Sequence, residues 1–138
     1  MNVKKIFVIG AGQMGSGIAQ AAVMGGFEVV VRDMTDDIIN RALDKIQKSL
    51  RKMADKGKIS ADDAERMIGN LWGTTLLEDA ADADLIIEAA VENIAIKTHI
   101  FQELDKIAKP EAILATNTSS LSITEIAAAS KTPERIVG

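Results

Sequence analysis

The 138-residue sequence predicts one α/β domain with a doubly wound, mainly parallel sheet and a long helical hairpin between the second and third strands. Three observations predict this fold class. Short apolar runs alternate with helical patterns along the chain, as in βαβ units. The first run ends in Gly10, Gly12 and Gly15 at the spacing G-x-G-x-x-G, and a helical pattern follows at once. The second run ends in Asp33, roughly 20 residues beyond these glycines, where the first unit of such a sheet carries an acid.

The first βαβ unit is marked by apolar runs and by glycines. A strand is predicted at about residues 4–9, where the apolar residues are continuous, as in a buried parallel strand. The following helix is predicted to run from Gln13 to about Gly25, where Gly25 and Gly26 end it. The second strand is predicted at residues 27–32.

The segment between the second and third strands is longer than an ordinary crossover, for which about a dozen residues suffice. Apolar residues recur in it at spacings of three and four, which predicts a helix that Gly57 ends. These residues are Ile39, Leu43, Ile46, Leu50 and Met53. Ser60 should then cap a second helix that ends near Ile68. The segment is therefore predicted to be a helical hairpin that extends from the sheet.

The remaining elements complete a six-stranded sheet. Strands are predicted at residues 71–75, 83–90, 112–115 and 135–138, and the second of these is expected to be buried on both faces. Asn93 should cap the helix that ends before Pro110. Ser122 opens a capping-box pattern for a short helix that Pro133 ends.

The glycine turn has the features needed to bind a dinucleotide. Gly10 permits the tight bend after the strand, Gly12 lets the backbone approach a pyrophosphate, and Gly15 allows the helix to pack closely. The helix N-terminus presents unpaired N–H groups and a positive dipole end to the phosphates. Asp33 is placed to accept the ribose hydroxyls of NAD and disfavours the extra phosphate of NADP, although Arg32 is its neighbour. The alternative is an ordinary βα turn beside a surface aspartate.

Composition limits the class of protein. Apolar residues make up 47% and charged residues 26%, and the net charge of −4 gives no reason to expect nucleic acid or an anionic membrane as a partner. The absence of cysteine and the single histidine exclude thiolate and His-rich metal sites. Lys4 and Lys5 precede an apolar run too short for a signal peptide, so a cytoplasmic location is expected. Trp72 and the six methionines are interpreted as core or interface packing.

Polar residues follow three of the predicted strands, at the edge where open α/β sheets bind their ligands. Asp33 follows the second strand, Glu92 follows the fourth, and residues 117–120 follow the fifth. Glu92 could bond a ribose hydroxyl, and Lys97 could pair with Glu92 or contact a cofactor; a surface ion pair is the alternative. For residues 117–120 the alternative is a turn whose short polar side chains satisfy its own backbone.

A row of polar residues lies beside the apolar stripe of the hairpin, at helical spacing. Its members are Lys45, Ser49, Lys52 and Lys56. Cations with a hydroxyl could hold a phosphorylated ligand, whereas a solvated amphipathic face is the alternative. The one histidine, His99, is expected in the middle of a helix, away from the strand ends, and is not predicted to be catalytic.

Together these residues resemble the amino-terminal domain of the 3-hydroxyacyl-CoA dehydrogenases, most closely the bacterial 3-hydroxybutyryl-CoA dehydrogenases. The resemblance covers essentially the whole chain and implies that residues 1–138 form one NAD-binding Rossmann domain. It depends on residues 10–17 with Met14, on Asp33, and on residues 49–52, 88–93 and 117–121. The last two segments, in this order and spacing, are highly specific.

The resemblance implies a role for each matching position. NAD is implied to bind Gly10, Ala11, Gly12, Gln13, Met14, Gly15, Asp33, Glu92, Lys97 and Asn117. Coenzyme A is implied to contact Ser49, Lys52 and Lys56. Ser119 matches the serine that hydrogen-bonds the 3-oxygen of the substrate, and Asn117 supports that loop. In the family, a hydride passes between the nicotinamide and C3 of the acyl chain, and a histidine oriented by a glutamate exchanges the proton.

The sequence departs from the family pattern at its end. In the family, a Leu/Met-His-Phe-Phe-Asn-Pro segment with the catalytic histidine follows the strand that matches residues 135–138. A helical carboxyl-terminal domain then supplies dimer contacts and much of the acyl site. The resemblance therefore implies that this chain binds NAD(H) but reduces acetoacetyl-CoA negligibly. A full-length form is expected to be a homodimer or larger, and the uncovered surface favours self-association of the shorter chain.

Two other functions stay open. A non-catalytic NAD-binding sensor would fit the length of the chain, but it would have no use for the loop around Ser119 or the hairpin lysines. Another NAD-dependent hydroxyacid or sugar-nucleotide dehydrogenase would share the glycine turn, but such cofactor domains usually lack the long hairpin. Affinity for coenzyme A distinguishes the acyl-CoA dehydrogenase function implied by the resemblance from these two alternatives.

Overall fold

The computed structural model describes residues 2–89, 93–116 and 136–137. They form a six-stranded sheet with the strand order β3-β2-β1-β4-β5-β6, in which every pairing is parallel. The strands are β1 (Lys5–Ile9), β2 (Glu28–Arg32), β3 (Leu71–Thr74), β4 (Leu85–Glu88), β5 (Ile113–Thr116) and β6 (Ile136–Val137). This is the order of a doubly wound dinucleotide-binding sheet, so the predicted fold class is confirmed.

Helices cover both faces of the sheet. The α-helices in the described residues are α1 (Gln13–Met24), α2 (Asp36–Asp55), α3 (Ala61–Gly69) and α4 (Ile94–Ile107). One apolar cluster joins β1 and β2 to α1, α2 and α3, and it includes Val8, Val31 and Ile46. On the other face, Phe7 and Ile86 pack with α4. The sheet is therefore the middle of three layers, and its carboxyl edge is left for the loops.

The predicted helical hairpin is confirmed as α2 and α3. The side chain of Thr35 accepts a hydrogen bond from the N–H of Ile38 at the start of α2. Gly57, with a positive φ of 74°, follows the end of α2, and Ser60 caps α3 by accepting from the N–H of Asp63. Of the predicted apolar stripe, the buried members are Ile39, Ile46 and Leu50, and the half-buried members are Leu43 and Met53.

The fourth strand is shorter than predicted. The N–H of Ala83 donates to the carbonyl of Ala80, and the first hydrogen bond to β1 comes from the N–H of Asp84, so the strand begins only at Leu85. Its burial also differs between the two faces: Ile86 and Glu88 are fully buried, whereas Leu85 and Ile87, which alternate with them, are half-buried against the other apolar cluster. The prediction of burial on both faces therefore holds fully for one face only.

The connection from β3 to β4 contains a 3-10 helix, Leu77–Ala80, that the sequence did not predict. This short element covers little of the sheet beside β3, and Trp72 is 46% exposed. Met14 and Met34 are exposed as well. Of the interpretation as core or interface packing, the core alternative is therefore wrong for these three residues, and the interface alternative stays a prediction. None of the described helices has the length and apolar character that crossing a membrane requires.

Asp84 connects three elements at the amino edge of the sheet. Its carboxylate accepts hydrogen bonds from the backbone N–H groups of Lys4 and Lys5, at 2.8 and 3.0 Å, and from the ammonium of Lys109, which follows α4. The hydrogen bond from Lys109, followed by those from the two N–H groups, holds the pKa of Asp84 well below its usual range. The same hydrogen bond raises the pKa of Lys109.

Candidate functional site

The glycine turn joins β1 to α1 at the carboxyl edge of the sheet. Gly10 has a positive φ of 111°, as the predicted tight bend requires, and its N–H donates to the carbonyl of Arg32 at 2.8 Å. A β-carbon on Gly15 would lie 1.8 Å from the carbonyl oxygen of Gly10, so only glycine fits there. A β-carbon on Gly12 would meet no protein atom within 4 Å. The turn is thus closed toward the sheet and open at Gly12.

The N-terminus of α1 differs from the other α-helix starts that the structure describes. Thr35, Ser60 and Asn93 each cap their helix with a side chain, whereas Gly12 cannot. The first turn of α1 also contains no acidic residue. A helix start without a side-chain acceptor and with a positive dipole end is suited to binding an anion, and the spacing of the glycines predicts a diphosphate there.

A cavity of about 260 Å³ adjoins this helix start. Ala11, Gly12 and Gln13 line one side of it, and Arg41 and Lys45 of α2 line the other. Arg41 forms an ion pair with Asp37 of its own helix, whereas Lys45 forms no ion pair within the described part of the chain. The cavity therefore presents backbone N–H groups and cationic side chains to the same space.

Asp33 lies at the end of β2 and fastens the glycine turn. One carboxylate oxygen accepts from the N–H of Ala11 at 2.8 Å, and the other accepts from the N–H of Met34 at 2.7 Å. A carboxylate has about four acceptor positions, so capacity remains for two ribose hydroxyls. Arg32 donates from Nε to the carbonyl of Thr75 at 3.2 Å, which directs its guanidinium toward the end of β3.

Exposed apolar side chains next to Asp33 were missed by the reasoning from sequence. Met34, which is 71% exposed, follows β2, and Leu76, 56% exposed, follows β3. Because β2 and β3 are parallel neighbours, both residues lie at the carboxyl edge. Such side chains suit the flat, apolar face of a nucleobase. The signal that could have found them is an apolar residue directly after the acid, outside the pattern of any strand or helix.

Glu88, Lys97 and Thr116 meet at the other end of the same edge. Oε1 of Glu88 accepts from the hydroxyl of Thr116 at 2.7 Å and lies 3.3 Å from Nζ of Lys97. The side chains of Glu88 and Lys97 are 0% and 4% exposed. The alternative of a surface ion pair is therefore wrong for Lys97. Its predicted pairing with Glu92 involves a residue outside the described ranges, and its cofactor contact stays a prediction.

The other predicted residues of this edge lie in residues 90–92 and 117–135, outside the described ranges. They are Glu92, Asn117, Ser119 and Ser120 of the site, and Ser122 with Pro133 of the short helix. The described residues that flank these segments are Asn93 and Thr116. Asn93 caps α4 by accepting from the N–H groups of Ala95 and Ile96, as predicted, and Thr116 ends β5. The roles assigned to Glu92, Asn117 and Ser119 remain predictions.

The polar row on α2 has two parts. Ser49 is half-buried, and its hydroxyl accepts from Nε2 of Gln20 in α1 at 2.9 Å. Lys52 and Lys56 are exposed and form no ion pair with any described residue. Lys45 likewise forms none, whereas the remaining cations of α2 do: the pairs are Arg41–Asp37, Lys48–Asp44 and Arg51–Glu65. Two neighbouring cations with no counter-charge among the residues that the structure describes fit the predicted contact with coenzyme A.

His99 lies in the middle of α4, as predicted, and its side chain is exposed. It is the one histidine of the chain, and no hydrogen bond or ion pair among the described residues joins it to Glu88 or Asp33.

A model of the family described as "3-hydroxyacyl-CoA dehydrogenase, NAD binding domain" matches residues 5–138. Among curated proteins, the chain is 50% identical over 134 residues to a probable 3-hydroxybutyryl-CoA dehydrogenase of Deinococcus radiodurans. It is 46% identical over 138 residues to a protein of the same description from Bacillus subtilis. The matches cover 97% and 100% of this chain but 48% of each relative, so the chain spans about half the length of these relatives.

Solved structures of similar proteins have the same fold. A 3-hydroxybutyryl-CoA dehydrogenase of Escherichia coli superimposes with a TM-score of 0.95 at 41% identity, over 99% of this chain and 29% of that one. An (S)-3-hydroxybutyryl-CoA dehydrogenase of Ralstonia eutropha superimposes with a TM-score of 0.91 at 34% identity, over 98% of this chain and 48% of that one.

Proposed function

Because the chain belongs to the 3-hydroxyacyl-CoA dehydrogenase family, as its NAD-binding domain, we propose that it binds NAD(H) at the carboxyl edge for hydride transfer to and from C3 of an acyl-CoA. The family and the cofactor predicted from the sequence are confirmed. The observation that carries the proposal is the start of α1, which has no side-chain cap and opens at Gly12 beside the carboxylate of Asp33.

The residues at this edge divide the binding of NAD between them. The start of α1 neutralises the diphosphate, and Asp33 accepts the ribose hydroxyls of the adenosine half while its charge disfavours a 2′-phosphate. Glu92, Lys97 and Asn117 serve the nicotinamide half. When bound, NAD supplies the hydride chemistry, and the chain supplies orientation and charge.

The proposed substrate is a 3-hydroxyacyl-CoA or 3-oxoacyl-CoA, with 3-hydroxybutyryl-CoA and acetoacetyl-CoA as the first candidates because the similar proteins carry that name. Such a reaction belongs to fatty-acid or butyrate metabolism. Lys52, Lys56 and Ser49 hold coenzyme A, and Ser119 bonds the 3-oxygen. The proposed location is the cytoplasm, and the proposed assembly is a homodimer or larger.

Calorimetric titration of the 138-residue chain with NADH, NADPH and coenzyme A tests the proposal. We expect NADH to bind more tightly than NADPH, and coenzyme A to bind at a separate site. Failure to bind NADH would contradict the cofactor site. Binding of NADH without coenzyme A would favour a sensor module or a different hydroxyacid dehydrogenase.

Reduction of acetoacetyl-CoA by this chain should be negligible even with NADH bound, as the loss of NADH absorbance would show. The single histidine lies in the middle of α4, with no described contact to Glu88 or Asp33, and a reaction without its general acid is typically 10²–10⁴-fold slower. Turnover near the rate of a longer relative would contradict this expectation.

A further inference from the structure

Glu88 is a buried carboxylate in a strand that is otherwise apolar. It is the last residue of β4 and lies in register between Ile9 of β1 and Thr116 of β5. The next residue, Ala89, donates its N–H to the carbonyl of Ile9 at 2.9 Å. Glu88 therefore lies between the strand that leads into the glycine turn and the strand that leads into the predicted substrate loop.

The contacts of Glu88 join three elements through one oxygen. Oε1 accepts the hydroxyl hydrogen of Thr116 at 2.7 Å, and the ammonium of Lys97 lies 3.3 Å from the same atom. Lys97 is in the first turn of α4. The carboxylate thus holds the end of β5 and the start of α4 against the end of β4.

Stability alone does not account for this arrangement. A buried ion pair loses hydration, and replacing both partners by apolar residues is often neutral or stabilising. Lys97 also lies near the positive end of the α4 dipole, which disfavours a cation, and the first turn of α4 contains no acid that would offset it. A buried pair placed against both tendencies at a ligand-binding edge indicates a functional constraint.

The position of Glu88 indicates which part of the ligand it affects. In a sheet of this order the two halves of a dinucleotide lie on opposite sides of the glycine turn. Asp33 follows β2, on the side of the adenosine half. Glu88 and Thr116 end β4 and β5, on the side of the nicotinamide half.

We propose that Glu88 is a positioning residue for the nicotinamide half of the cofactor site, acting through Lys97 and Thr116. It sets the relation between the start of α4 and the ends of β4 and β5, from which the predicted nicotinamide and substrate residues extend. This inference rests on the proposed binding of NAD at the carboxyl edge.

Comparison of NADH with ADP-ribose, which lacks the nicotinamide, separates positioning from general loosening of the fold. In the Glu88→Gln variant of the 138-residue chain, we expect NADH to bind about tenfold more weakly, because a charged hydrogen bond is lost. The affinity for ADP-ribose should change by less than about twofold. An equal loss for both ligands, or unchanged affinity for NADH, would overturn the proposal.

A second set of variants distinguishes a loss of positioning from a loss of folding. Lys97→Met and the double variant Lys97→Met with Glu88→Gln should have the same dissociation constant for NADH, because the contribution through Lys97 is already lost and a glutamine carbonyl can still accept from the hydroxyl of Thr116. The double variant removes both charges of the described pair and should unfold at a higher temperature than Glu88→Gln alone. A further loss of NADH affinity in the double variant would overturn the pathway through Lys97.

Thr116→Val removes only the hydroxyl donor. It should weaken the binding of NADH by about threefold without changing the affinity for ADP-ribose. No change for NADH would show that Thr116 has no part in the positioning and overturn that arm of the proposal. If the unmodified chain binds neither ligand, the assignment of NAD to this edge fails. If it binds both and Glu88→Gln changes neither, only the role of Glu88 fails.

Discussion

The carboxylate of Asp33 accepts a hydrogen bond from the backbone N–H of Ala11, and this contact joins the end of β2 to the glycine turn. The acid is therefore placed by the same turn that receives the diphosphate. Its second oxygen is held by the N–H of Met34, so the carboxylate is fixed from two directions before any ribose arrives. Such preorganisation lowers the entropic cost of binding.

Asp33→Asn should reduce the preference for NADH over NADPH. The amide oxygen can still accept from Ala11, but the negative charge that repels the 2′-phosphate is gone. We expect the ratio of the dissociation constants for NADPH and NADH to fall by about tenfold or more. Titration with both cofactors measures the ratio. Asp62→Asn, at the start of α3, is the matched control and should leave it unchanged.

Gly12→Ala should weaken the binding of NADH without unfolding the protein. A β-carbon at Gly12 meets no protein atom within 4 Å, so stability should be nearly unchanged, whereas the methyl group occupies the approach of the diphosphate. The dissociation constant for NADH should rise by about tenfold or more, or about 1.4 kcal/mol.

Gly17→Ala is the control for this substitution, since its β-carbon also meets nothing and it lies within α1, past the turn. Alanine there should stabilise the fold by about 0.5–1 kcal/mol and leave NADH affinity unchanged. Equal losses of NADH affinity in both variants would contradict the placement of the diphosphate at Gly12.

Replacing Lys52 and Lys56 together by alanine should weaken the binding of coenzyme A by about tenfold and leave NADH affinity unchanged, because two cations that pair with no described residue are removed. Lys48→Ala is the matched control. It lies on the same helix and is similarly exposed, but it is already paired with Asp44. Titration with coenzyme A distinguishes the two. An unaltered affinity in the double variant would remove the polar row from the substrate site.

Asp84→Asn should destabilise the fold at neutral pH by about 1–3 kcal/mol, because hydrogen bonds to a charged group are lost. The folded-state pKa of Asp84 lies below the unfolded value of about 3.9, so its contribution is fully present above roughly pH 5. That contribution is lost as the pH falls through the folded-state pKa. Urea unfolding between about pH 7 and 3 should therefore show a shallower decline in the variant than in the unmodified chain.

Equal slopes in the two proteins would show that Asp84 is not the group that responds to acid. Because this carboxylate lies at the amino edge of the sheet, NADH affinity at neutral pH should be the same in both.

Local patterns predicted the helical hairpin and its ends. The spacing of Ile39, Ile46 and Leu50 is a property of one helix, and the cap at Ser60 acts within one turn. Such features depend on neighbours three or four residues away, which a sequence displays directly. The glycine turn was predictable for the same reason, because the strand, the turn and the helix are consecutive.

Contacts between distant segments could not be predicted in this way. Glu88 appears in the sequence as one polar residue in an apolar run. Its partners Lys97 and Thr116 are brought to it by the packing of α4 and the pairing of β5. The exposure of Trp72 depends likewise on a crossover too short to form an α-helix. The sequence does show how few residues separate β3 from β4, and that spacing was the available signal.

The uncovered face beside β3 has an optical consequence. Trp72 is the single tryptophan of the chain, and β3 ends beside Asp33, where the N–H of that residue bonds the carbonyl of Thr74. Indole emission overlaps the near-ultraviolet absorption of the reduced nicotinamide ring, and the domain is small enough for resonance energy transfer between them. Bound NADH should therefore quench the emission of Trp72, so that the chain contains an intrinsic fluorescent donor for measuring cofactor occupancy without a label.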